Sequence, residues 1–320
     1  MLIEFGIGFG IDIVAIIIAL FFLVWSADQL VKYASSLANK LGVTPFLIGV
    51  VIIGFGTSAP ELFVSGLASL EGKGGLAIGN ALGSNIANIG LVLGAAACIT
   101  AIPLSLRMIK VEIPLIFVSA LIAIGLLFDG TLSLLDGIIM SALLVTYLVW
   151  SALSNRNNDE PEDTDEESSS LSKDIAWTIA SLVILIGSSK LLVYGAVNIA
   201  TAMGVSELII GLTIIAIGTS LPELAASVAA VRQKSSSMII GNIIGSNTFN
   251  TLGVLGLAGI VRETGVDSAV LSRDFLFLFA LMALLFIFVL KNRQLDRWQG
   301  VVLICSYFGY LGYLIISGLN

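Results

Sequence analysis

Two short stretches place a proline, hydroxyls and a carboxylate inside otherwise apolar surroundings: Gly56-Thr57-Ser58-Ala59-Pro60-Glu61 and Gly218-Thr219-Ser220-Leu221-Pro222-Glu223. Pro60 has no N–H to give the carbonyl at Gly56, and its ring presses on that turn of a helix. Carbonyls from about Gly54 to Thr57 are thereby loosened, and in a membrane such backbone survives only where protein, water or an ion satisfies it. Glu61 follows Thr57 by one turn and Ser58 by three residues, so hydroxyls and carboxylate share a face. The second stretch repeats the arrangement with Ala216, Thr219, Ser220, Pro222 and Glu223. A single intramembrane glutamate is often a protonated or helix-paired structural residue. Two at equivalent places, with no lysine or arginine in either stretch, call for an imported cation.

A second pair of stretches supplies more oxygen. In Gly79–Asn88 the residues Asn80, Ser84 and Asn88 recur every four positions and form one polar stripe. Asn242, Ser246 and Asn250 do the same in Gly241–Asn250. Gly79 and Gly83 allow a neighbouring helix to come close. Alone, such a stripe reads equally well as a small-residue packing seam held by amide hydrogen bonds; beside the glutamate stretches it reads as the other wall of a site. Every candidate ligand is oxygen. Histidine is absent and the two cysteines, Cys98 and Cys305, stand far apart in apolar runs, so they read as packing residues. Hard cations such as Ca²⁺ and Na⁺ are therefore favoured over soft metals. Ca²⁺ accepts 6–8 oxygens in flexible geometry, whereas Mg²⁺ gives up its water reluctantly. The lack of histidine also removes HExxH zinc proteases, Ser-His-Asp hydrolases and histidine proton relays.

The elements that must position these residues are membrane helices. Hydrophobic residues make up 57% of the 320 positions and charged residues 12%, with a mean hydropathy of +1.05. A water-facing surface needs about twice that charged share, and repeated apolar runs of roughly 20 residues are the length of a bilayer-crossing helix. The run from Ile11 to Trp25 does not alternate, so a membrane barrel is disfavoured. The expected fold is an all-α integral membrane protein of about ten transmembrane helices. Five are expected near 8–36, 45–69, 76–100, 112–128 and 132–153, and five near 174–201, 206–231, 237–261, 274–290 and 298–317. No removable leader is read at the start, where a basic n-region is missing.

Both stretches recur at one offset, since 218 − 56 and 241 − 79 are both 162, and the match runs without a gap from Gly42 to Gly94 with nearly half the positions identical. The chain is thus read as two repeats, 1–153 and 174–320, joined by residues 154–173. That joint is acidic, Ser-rich and polar, and reads as a mobile aqueous linker. A regulatory calcium loop is disfavoured there because the run holds no glycine for the turn. The net charge of −7 is concentrated in this linker and says little about partners; no nucleic-acid partner and no cofactor are expected.

Five helices per repeat is odd, so the second repeat enters the membrane inverted. Lysine and arginine fall eleven to four between the two sets of loops. The richer set, which includes Lys40, Arg107, Arg232 and Arg293, is expected to be cytoplasmic with the linker; both termini then lie outside. Lys73, Lys190, Arg262 and Arg273 fall on the poorer side. Inverted repeats with a midplane site are the usual plan of secondary transporters.

At the paired G-T-S-x-P-E and G-N-x-x-G-S-N stretches the chain closely resembles the calcium/cation antiporter superfamily, in particular prokaryotic sodium/calcium exchangers. The resemblance implies ten helices, extracellular termini, and cation pockets between the second, third, seventh and eighth helices. By position, Glu61 and Glu223 are the expected central carboxylates, and Thr57 and Thr219 offer backbone carbonyls to Ca²⁺. The carbonyls of Gly54 and Ala216, with Ser58, Ser84, Ser220 and Ser246, are expected to line flanking Na⁺ pockets; Asn88 and Asn250 complete the middle. One departure stands out. Archaeal-type members carry an aspartate where this chain has Asn250, leaving two formal negative charges in the cluster rather than three.

The implied activity is antiport of Ca²⁺ against Na⁺ across the cell membrane by alternating access, by a protein that works as a monomer. Helices 8–36 and 174–201, which carry Asp28 and Lys190 at matched positions, are expected to slide across a core holding the site. Rival readings are an H⁺- or K⁺-linked antiporter on the same scaffold and, in another class, a cation channel. A membrane enzyme is weaker still, since no catalytic base or nucleophile pairing appears beyond these carboxylates.

Overall fold

The computed structural model describes residues 2–154, 170–204, 214 and 216–318 of the chain. Helices dominate because a backbone in hydrocarbon must satisfy its own hydrogen bonds within each segment. In chain order they are α1 (Leu2–Leu41), α2 (Pro45–Thr57), α3 (Ala59–Leu70), α4 (Gly74–Ile99), α5 (Met108–Asp129) and α6 (Leu134–Ser154). The second set is α7 (Leu171–Ala202), α8 (Ala216–Thr219), α9 (Leu221–Arg232), α10 (Ser236–Val261), α11 (Val270–Asn292) and α12 (Arg297–Gly318). Eight of these are long and apolar enough to cross a bilayer, and α2 with α3 makes a ninth span bent by 42°. Most of the first half of the span expected at 206–231 lies outside the described residues, as does the linker from 155 to 169.

The bend between α2 and α3 is where Pro60 is expected to loosen the helix. Ser58 sits at φ −84°, ψ 5°, outside helical geometry, and Pro60 occupies the second position of the new helix, where its missing N–H does no harm. Ser220 takes nearly the same conformation, φ −89°, ψ 5°, between α8 and α9. Wider π-type turns mark the same places in both halves. They run over Asn88–Leu93 in α4 and Phe249–Val254 in α10, and over Met108–Glu112 in α5 and Val270–Asp274 in α11. Such turns rotate the following side chains out of register and recur at functional sites; nothing in the composition signalled them.

The sequence also gave no hint of four two-residue strands: β1 (Ile102–Pro103), β2 (Thr131–Leu132), β3 (Thr264–Gly265) and β4 (Gln294–Leu295). β1 pairs antiparallel with β4, and β2 with β3. Each tie therefore joins one half of the chain to the other, and the two ties are counterparts under the repeat.

α4 and α10 lie at the centre, with 72% and 89% of their apolar windows buried, while α1 and α7 are mostly exposed, at 22% and 28%. α1 and α7 run along one another over most of their length. Trp177 of α7 stacks on Tyr33 and meets Trp25 edge-on, and Lys40 pairs with buried Asp174. The outer faces carry Ile11, Ile17, Phe21, Val183 and Ile179 exposed, the surface a lipid bilayer solvates.

Glycine decides the closest contact in the core. A Cβ at Gly241 would stand 2.4 Å from the Phe46 carbonyl oxygen, and one at Gly245 would stand 2.5 Å from that of Val50. Gly49 and Gly54 on α2 are also tight, a Cβ there standing 2.8 and 2.9 Å from the carbonyl oxygens of Met238 and Asn242 of α10. The close approach expected at Gly79 and Gly83 has its counterpart here, in the second copy. Around Gly79 and Gly83 themselves no described atom lies within 4 Å of a built Cβ; the segment that symmetry assigns to them, near 208–212, lies outside the described residues.

Candidate cation site

The two glutamates are the least compensated charges in the core. Glu61 is fully buried and Glu223 has 1% of its surface exposed, and the two carboxylates interact electrostatically across the site. Each holds one oxygen in a hydrogen bond. Ser58 Oγ donates to Glu223 Oε1 at 3.0 Å, and Ser84 Oγ donates to Glu61 Oε1 at 3.4 Å. The other oxygen of each, Oε2, has no hydrogen-bond partner among the described residues. The non-helical turn at Ser58 explains the first bond. Its hydroxyl does not cap its own helix but reaches across to the glutamate of the other half.

Asn88 and Asn250 are completely buried, and neither the Oδ1 nor the Nδ2 of either has a hydrogen-bond partner among the described residues. Four unpaired amide atoms in an apolar core cost about 1–3 kcal/mol apiece, so the fold must have another use for them. Their location indicates what it is. The π turn carrying Asn88 packs against α9, the helix of Glu223, and the turn carrying Asn250 packs against α3, the helix of Glu61. Each half thus lends an asparagine to the glutamate helix of the other.

The remaining expected residues fall around this centre. Thr57 is fully buried and spends its hydroxyl on the carbonyls of Ile53 and Gly54, at 2.9 and 3.4 Å. The Gly54 carbonyl also accepts Ser246 Oγ at 3.1 Å, a bond between the halves. Ser220 is buried, and its hydroxyl has no partner among the described residues. Thr219 is half-buried beside it, and the Ala216 backbone opens α8.

Asn80 and Asn242 depart from expectation. Rather than continuing the wall, they brace the glutamate helices from behind. Asn80 Nδ2 donates to the Glu61 carbonyl at 3.2 Å and to Ser65 Oγ at 2.9 Å. Asn242 Nδ2 donates to the Glu223 carbonyl at 3.2 Å and to Ser227 Oγ at 2.9 Å. Ser65 and Ser227 were overlooked, although they match at the same offset of 162. Asn85 was overlooked too; its Nδ2 donates to Thr251 Oγ1 at 2.7 Å between α4 and α10. The matching Asn247 faces no threonine, because Ile89 stands at that position, and donates to its own helix at Ile243 instead.

No group of three or more acidic, cysteine or histidine side chains occurs among the described residues. The donor set is instead two carboxylates flanked by amides, hydroxyls and backbone carbonyls, which suits a hard cation. Two formal charges with two free carboxylate oxygens match one divalent or two monovalent ions.

Residues 11–153 and 173–316 match the family described as Sodium/calcium exchanger protein. Among curated relatives, the Putative antiporter CaxA of Alkalimonas amylolytica is 40% identical over 94% of this chain and 98% of its own length. The Sodium/calcium exchanger MaX1 of Methanosarcina acetivorans is 31% identical over 94% of this chain and 97% of its own length. Among solved structures, the sodium-calcium exchanger NCX_Mj, soaked with Na⁺ and Sr²⁺, superposes with a TM-score of 0.84 at 30% identity, covering 95% of this chain and 99% of that one.

Proposed function

The chain belongs to the sodium/calcium exchanger protein family, and from that premise we propose that it is a secondary antiporter exchanging Ca²⁺ for Na⁺ across the cell membrane by alternating access. The observation that carries this reading is the pair of buried carboxylates, each with one oxygen held and one unpartnered among the described residues, with two asparagines that also lack partners there on the turns packed against the glutamate helices. A buried carboxylate in mid-bilayer is costly unless a cation neutralises it. Glu61 and Glu223 bind either ion. Thr57, Thr219, Gly54 and Ala216 offer backbone carbonyls, while Ser58, Ser84, Ser220 and Ser246 with Asn88 and Asn250 complete the cage.

Coupling follows from charge. One Ca²⁺ or two Na⁺ balances the pair, whereas the cation-free cage leaves two repelling carboxylates and disfavours an empty return. With Asn250 in place of an aspartate, two Na⁺ per Ca²⁺ is the balanced exchange. α1 and α7, peripheral and mutually packed, slide as a unit across the core of α2 to α4 and α8 to α10, in a monomer of repeats 1–153 and 174–320. The acidic linker 154–173 is cytoplasmic and the termini are extracellular. Proteoliposomes loaded with Na⁺ should take up ⁴⁵Ca²⁺ when diluted into Na⁺-free buffer. Uptake driven equally well by K⁺ or a pH gradient, or flux at channel rates, would overturn the reading.

A further inference from the structure

Asn85 and Asn247 hold the same place in the two Gly-Ser-Asn stretches, yet they are employed differently. Both are fully buried. Asn85 Nδ2 donates across the core to Thr251 Oγ1 at 2.7 Å, while Asn247 Nδ2 donates at 2.8 Å to the Ile243 carbonyl of its own helix. One position makes the difference. Thr251 is buried on α10, and the residue 162 positions earlier is Ile89, equally buried and without a hydroxyl. The seam between α4 and α10 is therefore tied by this bond at one matched position and apolar at the other.

The tie stands beside the two amides that have no partner among the described residues. Thr251 directly follows Asn250 inside the π turn Phe249–Val254, and Asn85 comes three residues before Asn88, which opens the π turn of α4. The two spans cross so that the regular part of each packs on the π turn of the other: Gly74–Ala87 on Phe249–Val254, and Ser236–Thr248 on Asn88–Leu93. A bond from the residue one turn before Asn88 to the neighbour of Asn250 thus joins the two segments that present these amides. Partners lying behind a cation's ligands set where the ligands stand, and losing one typically costs about 10–100-fold in affinity. Shut away from water, such a bond is also stronger than its counterpart at a surface.

We propose that Asn85 and Thr251 are positioning residues for the cation site: their bond fixes how α4 crosses α10 and thereby places Asn88 and Asn250 for the ion. The proposal rests on the cation-site reading above. Asn247 makes no such tie, so the equivalent residue of the second repeat does not share the role.

The test is Ca²⁺ binding to the purified full-length protein by titration calorimetry, with the thermal midpoint in cation-free buffer measured alongside. Thr251→Val keeps the shape and removes the acceptor, and should weaken Ca²⁺ binding by about tenfold. Thr251→Ser retains an oxygen and should bind as the wild type does. Asn85→Leu should also lose about tenfold, and the double variant Asn85→Leu/Thr251→Val about tenfold rather than about a hundredfold, because the same bond is missing in all three. Asn247→Leu, which breaks no tie across the seam, should leave the affinity unchanged. A serine variant as weak as the valine one, additive losses in the double variant, or an Asn247→Leu loss equal to that of Asn85→Leu would overturn the proposal. So would a fall in thermal midpoint with Ca²⁺ affinity intact, the mark of an ordinary packing bond. Should Asn85→Leu fail to fold, the comparison of Thr251→Val with Thr251→Ser decides alone. Failure of the wild type itself to bind Ca²⁺ would overturn the cation-site reading instead, so the two failures are distinct.

Discussion

Replacing Glu223 by glutamine should separate a ligand from a structural carboxylate, because the two roles predict opposite changes in stability. The substitution keeps the shape. Oε1 can go on accepting the Ser58 hydroxyl at 3.0 Å, while an amide replaces the unpartnered Oε2 and turns two N–H groups toward the cage. Removing one partner of a buried, desolvated charge pair costs about 3–5 kcal/mol, and with a bound divalent cation as the other partner a middle value of about 4 kcal/mol corresponds to roughly a thousandfold loss of affinity. At a Ca²⁺ concentration one hundred times the wild-type Kd, binding stabilises the folded wild type by about 2.7 kcal/mol. At the same concentration the variant, at about a tenth of its own Kd, gains only about 0.06 kcal/mol. The Ca²⁺-induced rise in thermal midpoint, followed by tryptophan fluorescence, should therefore vanish. In cation-free buffer the variant should be at least as stable as the wild type, since one of two mutually repelling buried carboxylates is gone. A preserved Ca²⁺-dependent shift would refute the assignment of Glu223 as a ligand. A large destabilisation in cation-free buffer would show that the carboxylate holds the fold.

Three further outcomes are expected. Asn250→Asp restores a third formal charge, so Na⁺-driven Ca²⁺ uptake that is insensitive to an imposed membrane potential in the wild type should become voltage-dependent in the variant; an electrogenic three-for-one wild type would sink the charge-balance argument. Asn242→Ala removes the bonds to the Glu223 carbonyl and Ser227, and a loss of about 1 kcal/mol per bond, about 2 kcal/mol for the two, should appear as a weakening of Ca²⁺ binding by about thirtyfold, with Asn80→Ala giving a similar loss. Gly245→Ala sets a methyl 2.5 Å from the Val50 carbonyl oxygen and should lower thermal stability by about 1–3 kcal/mol, whereas Gly187→Ala, with open space around it, should not.

The long spans and their number were readable because hydropathy over twenty residues is a coarse property that packing does not reverse. The bend at Ser58 was readable for a different reason: proline removes a donor wherever it falls, so the consequence is local. The π turns at Asn88 and Phe249 were hidden because they depend on how α4 and α10 cross, which no residue type encodes. The same holds for Asn80 and Asn242. Their spacing places them in a stripe with Ser84 and Ser246, yet which neighbour an amide meets is set by the rotation of the adjoining helix. β1 to β4 were invisible because a two-residue ladder has no periodicity to detect. Lys190 was counted among the loop charges, yet it lies inside α7, twelve residues before the end of that helix.

The Ser58 hydroxyl on Glu223, the Ser246 hydroxyl on Gly54 and the crossed placement of Asn88 and Asn250 have an ancestral consequence. Neither repeat owns a complete site, because each glutamate helix borrows oxygen from the opposite half. A forebear with a single repeat could have built this cage only by meeting a second copy of itself lying head-down in the same membrane. Gene fusion would then have secured one-to-one pairing of the opposed copies. On the proposed reading, the acidic linker is where such a fusion would have been sewn.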